Sequence, residues 1–301
     1  MVRGIIYAIV SACCLGTVAI FVKTGLAIGM EPTQIVQYRF TFGTLLLFSW
    51  FGITNPGMLK IRPKALAKAA VLGIGLYPFQ SWTFIKALQY MPASTTSLIY
   101  YLYPLMTTLI AVAVFKMRPT RAVFMSLALV LAGCGLVFYN AFSQNVDVRG
   151  IGYAMACMTT FSVYLTLVQR FTANDDPRRI SIWVVFFMGV AFSCISSPLT
   201  ILDQPAKGWI VAMGLGLLPT ALAVSLIYRA IKKIGSAYTA MFSTIEPITT
   251  VVLAHFILGE PMDVIQVCGM LLIVAGIVLP NLALIRQAAP DNEKRQENAC
   301  G

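Results

Sequence analysis

Residues 72–78 read Leu72-Gly73-Ile74-Gly75-Leu76-Tyr77-Pro78, and residues 213–219 read Met213-Gly214-Leu215-Gly216-Leu217-Leu218-Pro219. One pattern therefore occurs twice, at a shift of 141. Each copy lies in an apolar stretch, near 66–88 and 208–228, long enough for the roughly 20 residues that cross the hydrocarbon core of a bilayer as a helix. Working outward, Arg3-Gly4-x-x-Tyr7-Ala8 returns as Arg149-Gly150-x-x-Tyr153-Ala154 at a shift of 146. Pro104 returns as Pro247 and Ala132-Gly133 as Ala275-Gly276, both at 143. Anchors kept in one order at nearly one shift mark an internal duplication.

Composition agrees with a membrane chain. Of 301 residues 58% are hydrophobic and 11% charged, against about 25% charged in soluble domains. Such a chain cannot cover folded soluble domains with polar surface, and it is too apolar and aromatic to be disordered. Apolar segments near 4–22, 33–53, 66–88, 94–115, 121–142, 150–169, 180–201, 208–228, 236–258 and 263–285 predict ten spans. Breakers such as Asn55-Pro56-Gly57, Asn174-Asp175-Asp176-Pro177 and Glu260-Pro261 fall between them. The expected fold is an all-α integral membrane bundle, with one five-helix repeat in 1–143, a second in 147–287 and a polar tail in 288–301.

Ten spans put both termini on one side. That side holds 17 Lys and Arg and the other holds four, with Arg39 left inside a span. The positive-inside rule makes the richer side cytoplasmic. The net charge of +11 is thereby a matter of topology, and no nucleic-acid partner is implied. Five spans per repeat is an odd number, so the copies must lie inverted. Their loops agree, since the loop holding Lys116 and Arg118 corresponds to that holding Glu260 and Asp263. Inverted repeats with paired helix interruptions characterise secondary transporters, whose substrate sites lie near the midplane. Val10-Ser11-Ala12-Cys13 looks like a lipoprotein cleavage box, but the apolar run before it is too short for a signal peptide and continues beyond it. We expect a retained helix. The seven cysteines lack metal-ligand spacing and read as small hydrophobes.

Ser243-x-x-Glu246-Pro247, Leu258-Gly259-Glu260-Pro261, Gly269 and Ala275-Gly276 together resemble the second repeat of the drug/metabolite transporter superfamily, of the EamA-domain kind. Arg39 and Pro104 match the family's second-helix arginine and fourth-helix proline. The resemblance covers roughly residues 1–285. It implies transport of small metabolites (amino acids, amines, nucleosides or drugs), most often export, with helices one, three, four, six, eight and nine lining the cavity. Two departures stand out. Lys116-Met117 replaces the family's Gly-Glu, and Ile182-Trp183-Val184-Val185 lacks the second-repeat arginine.

Glu246 is the one acid deep within a span, and a charge there faces a cavity or a partner. It is either a proton or ammonium site, or a buried tie between helices. Arg39 is either a carboxylate ligand or a cation that snorkels or pairs with a carbonyl. Pro78, Pro104, Pro219 and Pro247 each remove a helix hydrogen bond, freeing the carbonyls of Ile74, Tyr100, Leu215 and Ser243. Tyr100, Tyr101, Tyr103 and Trp82 are either a surface for stacking and cation–π contacts or ordinary packing. Ser243 is a packing residue with access to the same region. His255 cannot form a metal cluster alone. No phosphate loop, nucleophile elbow or zinc motif appears, so we expect no enzyme, cofactor or metal. The partners are a small-molecule substrate and membrane lipid. The expected function is alternating-access transport of a small organic metabolite across a bacterial inner membrane. The alternative is a flippase for a lipid or lipid carrier.

Overall fold

In a computed structural model, the described residues are 1–91, 93–117, 120–139, 147–259 and 262–278. They form helices and turns throughout, with no strand among them. In order the α-helices are α1 (Val2–Gly16), α2 (Val18–Ala27), α3 (Pro32–Thr54), α4 (Pro63–Ala70), α5 (Tyr77–Tyr90), α6 (Ala93–Tyr100), α7 (Tyr103–Phe115), α8 (Arg121–Val137), α9 (Val148–Thr172), α10 (Pro177–Ser193), α11 (Ala206–Gly216), α12 (Ala223–Ser243), α13 (Ile245–Leu258) and α14 (Val264–Val278). Four continuous helical stretches are long and apolar enough to cross a membrane: Val2–Ala27, Thr95–Phe115, Val148–Thr172 and Ala206–Ser243. Arg121–Val137, Ile245–Leu258 and Val264–Val278 are shorter apolar helices. Glu260, Pro261 and the tail 288–301 lie outside the described residues.

Local chemistry sets the breaks. Asp147 and Asp176 cap α9 and α10 by accepting from the amides of Arg149 and Arg178, as N-cap acids do. The helix expected to reach residue 201 stops at Ser193, because Ser196-Ser197-Pro198 redirects the chain into a 3₁₀ turn over Pro198–Asp203. The loop expected between 228 and 236 is a single kink inside α12. Gly235 there takes φ +83°, a backbone region in which an L side chain is strained.

The four prolines mark two kinds of interruption. π turns over Val71–Leu76 and Leu217–Leu222 adjoin Pro78 and contain Pro219. The wider turn accommodates an extra residue where the proline cannot donate. Breaks at Tyr101-Leu102 and at Thr244 precede Pro104 and Pro247, which sit in the first turns of α7 and α13. An amide is dispensable there.

The core is built around α9, α10 and α12, where Leu165, Ile180, Ile182, Met188, Tyr228 and Ile231 are fully buried. Against it pack α5 on α9, α3 on α10 and α11, and α1 on α12. α8 meets α14 backbone to backbone. A Cβ on Gly133 would lie 2.7 Å from the Gly269 carbonyl oxygen, and one on Gly269 would lie 2.7 Å from that of Gly133. Lipid supplies no hydrophobic force between helices, so their association depends on such close approach. Gly133→Ala should destabilise the fold by about 1–3 kcal/mol, the usual cost of overpacking. Thermal unfolding in detergent measures it, with Gly135→Ala, where a Cβ meets open space, as the control.

Candidate functional site

A cavity of about 370 Å³ lies among α1, α2, α3, α5, α6, α9, α10, α12 and α13. Its wall on α5 is one helical face: Tyr77, Gln80, Ser81, Phe84, Ile85 and Leu88. From Tyr77 to Leu88 that face rises about 16 Å at 1.5 Å per residue, half of the roughly 30 Å hydrocarbon core. Pro32, the first residue of α3, and Leu88, near the end of α5, stand at one extremity; Glu246 and Tyr164 stand at the other. The cavity therefore belongs to the half of the bundle that carries the α2–α3 turn. None of residues 59–71, 169–179 or 229–243 lines it.

Two ionisable side chains of opposite sign face this space, Arg39 from α3 and Glu246 from α13. Arg39 is held by the second half of the chain. Its Nε donates to the Thr220 hydroxyl at 3.0 Å and its Nη2 to the Pro219 carbonyl at 3.1 Å. Thr220 in turn donates to the Leu215 carbonyl at 2.8 Å. That is the carbonyl Pro219 leaves without a helical partner. The arginine thus caps the π turn of Leu217–Leu222 and borders the cavity at once. A guanidinium has five N–H donors, and these bonds use two.

Glu246 occupies the first turn of α13, just after the break at Thr244. The helix N-terminus favours a carboxylate there. Tyr101 hydrogen-bonds it, and Arg39 is near enough to attract it electrostatically. Around the two charges runs a chain of rings. Phe40 meets Tyr77 at 5.2 Å between centroids, Tyr77 meets Tyr164 at 6.0 Å, Tyr164 stacks on Phe161 at 6.1 Å, and Phe161 meets Tyr100 at 5.5 Å. Tyr77, Tyr100, Phe161 and Tyr164 face the cavity. Their faces can hold a cation or an apolar group.

The residues singled out in the sequence thus separate. Glu246, Arg39 and Tyr100 line the cavity. Tyr101 and Tyr103 are buried behind it, Tyr101 against Glu246 and Tyr103 edge-on to Phe161 at 5.0 Å. Ser243 is buried and donates to the Thr239 carbonyl. Pro78, Pro104, Pro219 and Pro247 shape the helices without lining the space. Trp82 stands on the outward face of α5, 49% exposed and edge-on to Tyr153. Beyond the π turn, positions 77, 80, 81, 84 and 88 point inward, so 79 and 82 point away. Gln80, Ser81, Phe84, Phe161 and Tyr164 were not singled out. The three- and four-residue spacing along 77–88 was the available signal.

At the other end of the bundle, Asp175 in the α9–α10 connection bonds Arg62 through Oδ1 and Lys68 through Oδ2, the latter at 2.9 Å. The Lys68 hydrogen bond, joined by Arg62, holds this carboxyl below the ordinary carboxylate range against the opposing effect of burial.

The sequence model of the EamA-like transporter family matches residues 2–139 and 148–282. The chain is similar to the uncharacterized transporter YwfM of Bacillus subtilis, at 28% identity over 62% of each chain. It is similar to an uncharacterized transporter of Archaeoglobus fulgidus, at 23% identity over 90% of this chain and 93% of that one. It is also similar to the threonine/homoserine exporter RhtA of Escherichia coli, at 24% identity over 84% of this chain and 83% of that one. A crystal structure with 20% sequence identity superposes at a TM-score of 0.77, covering 94% of this chain and 98% of its own.

Proposed function

The chain belongs to the EamA-like transporter family, and from that premise we propose that it exports a small amino-acid-like metabolite by alternating access. The observation that carries this reading is the pairing of Arg39 and Glu246 on one aromatic-walled cavity. A guanidinium binds a carboxylate, and a carboxylate and ring faces bind an ammonium. A zwitterion presents both groups. At about 370 Å³ the space falls at the small end of the roughly 300–1,000 Å³ usual for small-molecule sites.

The architecture behind the proposal is ten spans in two inverted five-helix repeats, 1–143 and 147–287. Matched π turns and matched breaks before Pro104 and Pro247 support it. The bias of basic residues supports cytoplasmic termini in an inner membrane. The Asp175 end is then cytoplasmic and the cavity opens outward. Export from RhtA is the analogy for direction.

The rival reading, a lipid or lipid-carrier flippase, has one observation in its favour. An apolar groove of about 390 Å³ lies between α2, α11 and α13, with Lys207 among its lining residues. It shares no lining residue with the charged cavity.

Proteoliposomes loaded with amino acids, amines and nucleosides, with and without a pH gradient, separate the readings. Selective loss of amino acids is the expected result. Efflux no faster than from protein-free vesicles, together with transbilayer movement of a labelled lipid, overturns it in favour of the flippase.

A further inference from the structure

The end of the bundle opposite the cavity is drawn together around one carboxylate. Asp175 lies in the α9–α10 connection with its side chain 9% exposed. Arg62, just before α4, and Lys68, within α4, each bond one of its two oxygens. Its backbone is gripped as well. Lys232 of α12 donates to the Asp175 carbonyl at 2.8 Å, and Arg62 donates to the Asn174 carbonyl at 3.2 Å. Two further bonds tie the same connections: Arg179 donates to the Lys60 carbonyl at 2.8 Å, and Trp183 Nε1 to the Leu59 carbonyl at 3.0 Å.

The ion pairs of this end centre on Asp175. Among the described residues of this end the acids are Asp175 and Asp176, and Asp176 is engaged in capping α10. Without the Asp175 charge, Arg62 and Lys68 lose the one carboxylate that bonds both of them among the described residues. Removal of one cation leaves the other still bonded. The bonds also run between segment 59–70 of the first half and segment 169–183 of the second, the two bodies that must separate here if access alternates. Neither segment touches the cavity, so substrate binding does not explain the cluster.

We propose that Asp175 is the latch that holds the inner end shut, and that release of Arg62 and Lys68 from it opens the cavity to the cytoplasm. This rests on the transport reading above and concerns its gating. Asp175 acts through its cationic partners, away from the substrate, as a positioning residue.

Spin labels test it in the full chain reconstituted in nanodiscs. They are attached at Ala67→Cys and Ala173→Cys, both exposed positions, with Cys13, Cys194, Cys268 and Cys300 changed to serine. In the parent the inter-label distance should be short. Asp175→Asn should add a longer distance, raising the ratio of open to closed ends roughly tenfold, since partly exposed ion pairs contribute modestly each. Asp175→Glu should keep the short distance. Arg62→Gln combined with Lys68→Gln should reproduce the longer one, which covers failure of Asp175→Asn to fold. Distance distributions identical to the parent in both Asp175→Asn and the double variant overturn the latch. Amino-acid efflux from the same parent preparation is read separately. Its absence counts against the substrate reading and leaves the distance result standing.

Discussion

Glu246→Gln is expected to abolish most of the efflux while leaving the fold intact. Glutamine has the same shape and still accepts from Tyr101 through its carbonyl oxygen, so the packing at the start of α13 persists. What disappears is the negative charge facing Arg39 across the cavity. A substrate ammonium then loses its ionised partner inside a low-dielectric site. Truncating one member of a buried charged pair costs about 2–5 kcal/mol, which corresponds to a fall of about thirtyfold to a few thousandfold in the flux-to-KM ratio. Initial efflux from proteoliposomes against substrate concentration measures it. The thermal midpoint in detergent is expected to stay or rise, because a buried charge has been removed. Efflux within twofold of the parent would refute the role given to Glu246.

Arg39→Ala is expected to injure stability and transport together. The Thr220 hydroxyl and the Pro219 carbonyl are buried, and both lose their donor. A buried polar group left unmet costs about 1–3 kcal/mol, so the pair of losses amounts to at most about 2–6 kcal/mol. Arg39→Lys separates the two roles. The ammonium keeps the positive charge but is a point donor without the planar fork, so it satisfies one acceptor of the second half. Part of the stability should return, while selectivity for a carboxylate-bearing substrate over the matching amine should weaken. Thermal unfolding and paired flux of an amino acid and its decarboxylated amine read the two effects. If Arg39→Lys transports both compounds like the parent, the carboxylate assignment falls.

Much of the helical organisation was legible because it rests on periodicity and charge. Every apolar segment marked in the sequence carries helix in the described residues, since a span-length apolar run has few other ways to satisfy its backbone. The prolines were legible as interruptions for the same local reason. The form each takes was not. Whether a proline yields a π turn, as at Pro219, or a break two or three residues upstream, as before Pro104 and Pro247, depends on what receives the freed carbonyl. Leu215 is served by Thr220, which Arg39 of a distant segment supports. That contact spans 181 positions and has no local trace. Arg39 shows why two readings stood open, since it pairs with a carbonyl and borders the cavity. Trp82 misled because an aromatic near Pro78 looks central until the helical phase is known.

That phase has a genetic consequence. A π turn holds one residue more than the α-helix it interrupts, and each residue advances an α-helix by about 100°. The Val71–Leu76 turn therefore sets the angle at which all of α5 faces its neighbours. An in-frame loss of one codon inside the turn lets it close to an ordinary α-helical turn and leaves Tyr77, Gln80 and Phe84 on the cavity. The same loss farther along α5, where the helix is regular and holds no spare residue, turns every later position by about 100°. An alignment of related chains that closes that single gap would pair lipid-facing positions with lumen-facing ones along the whole helix.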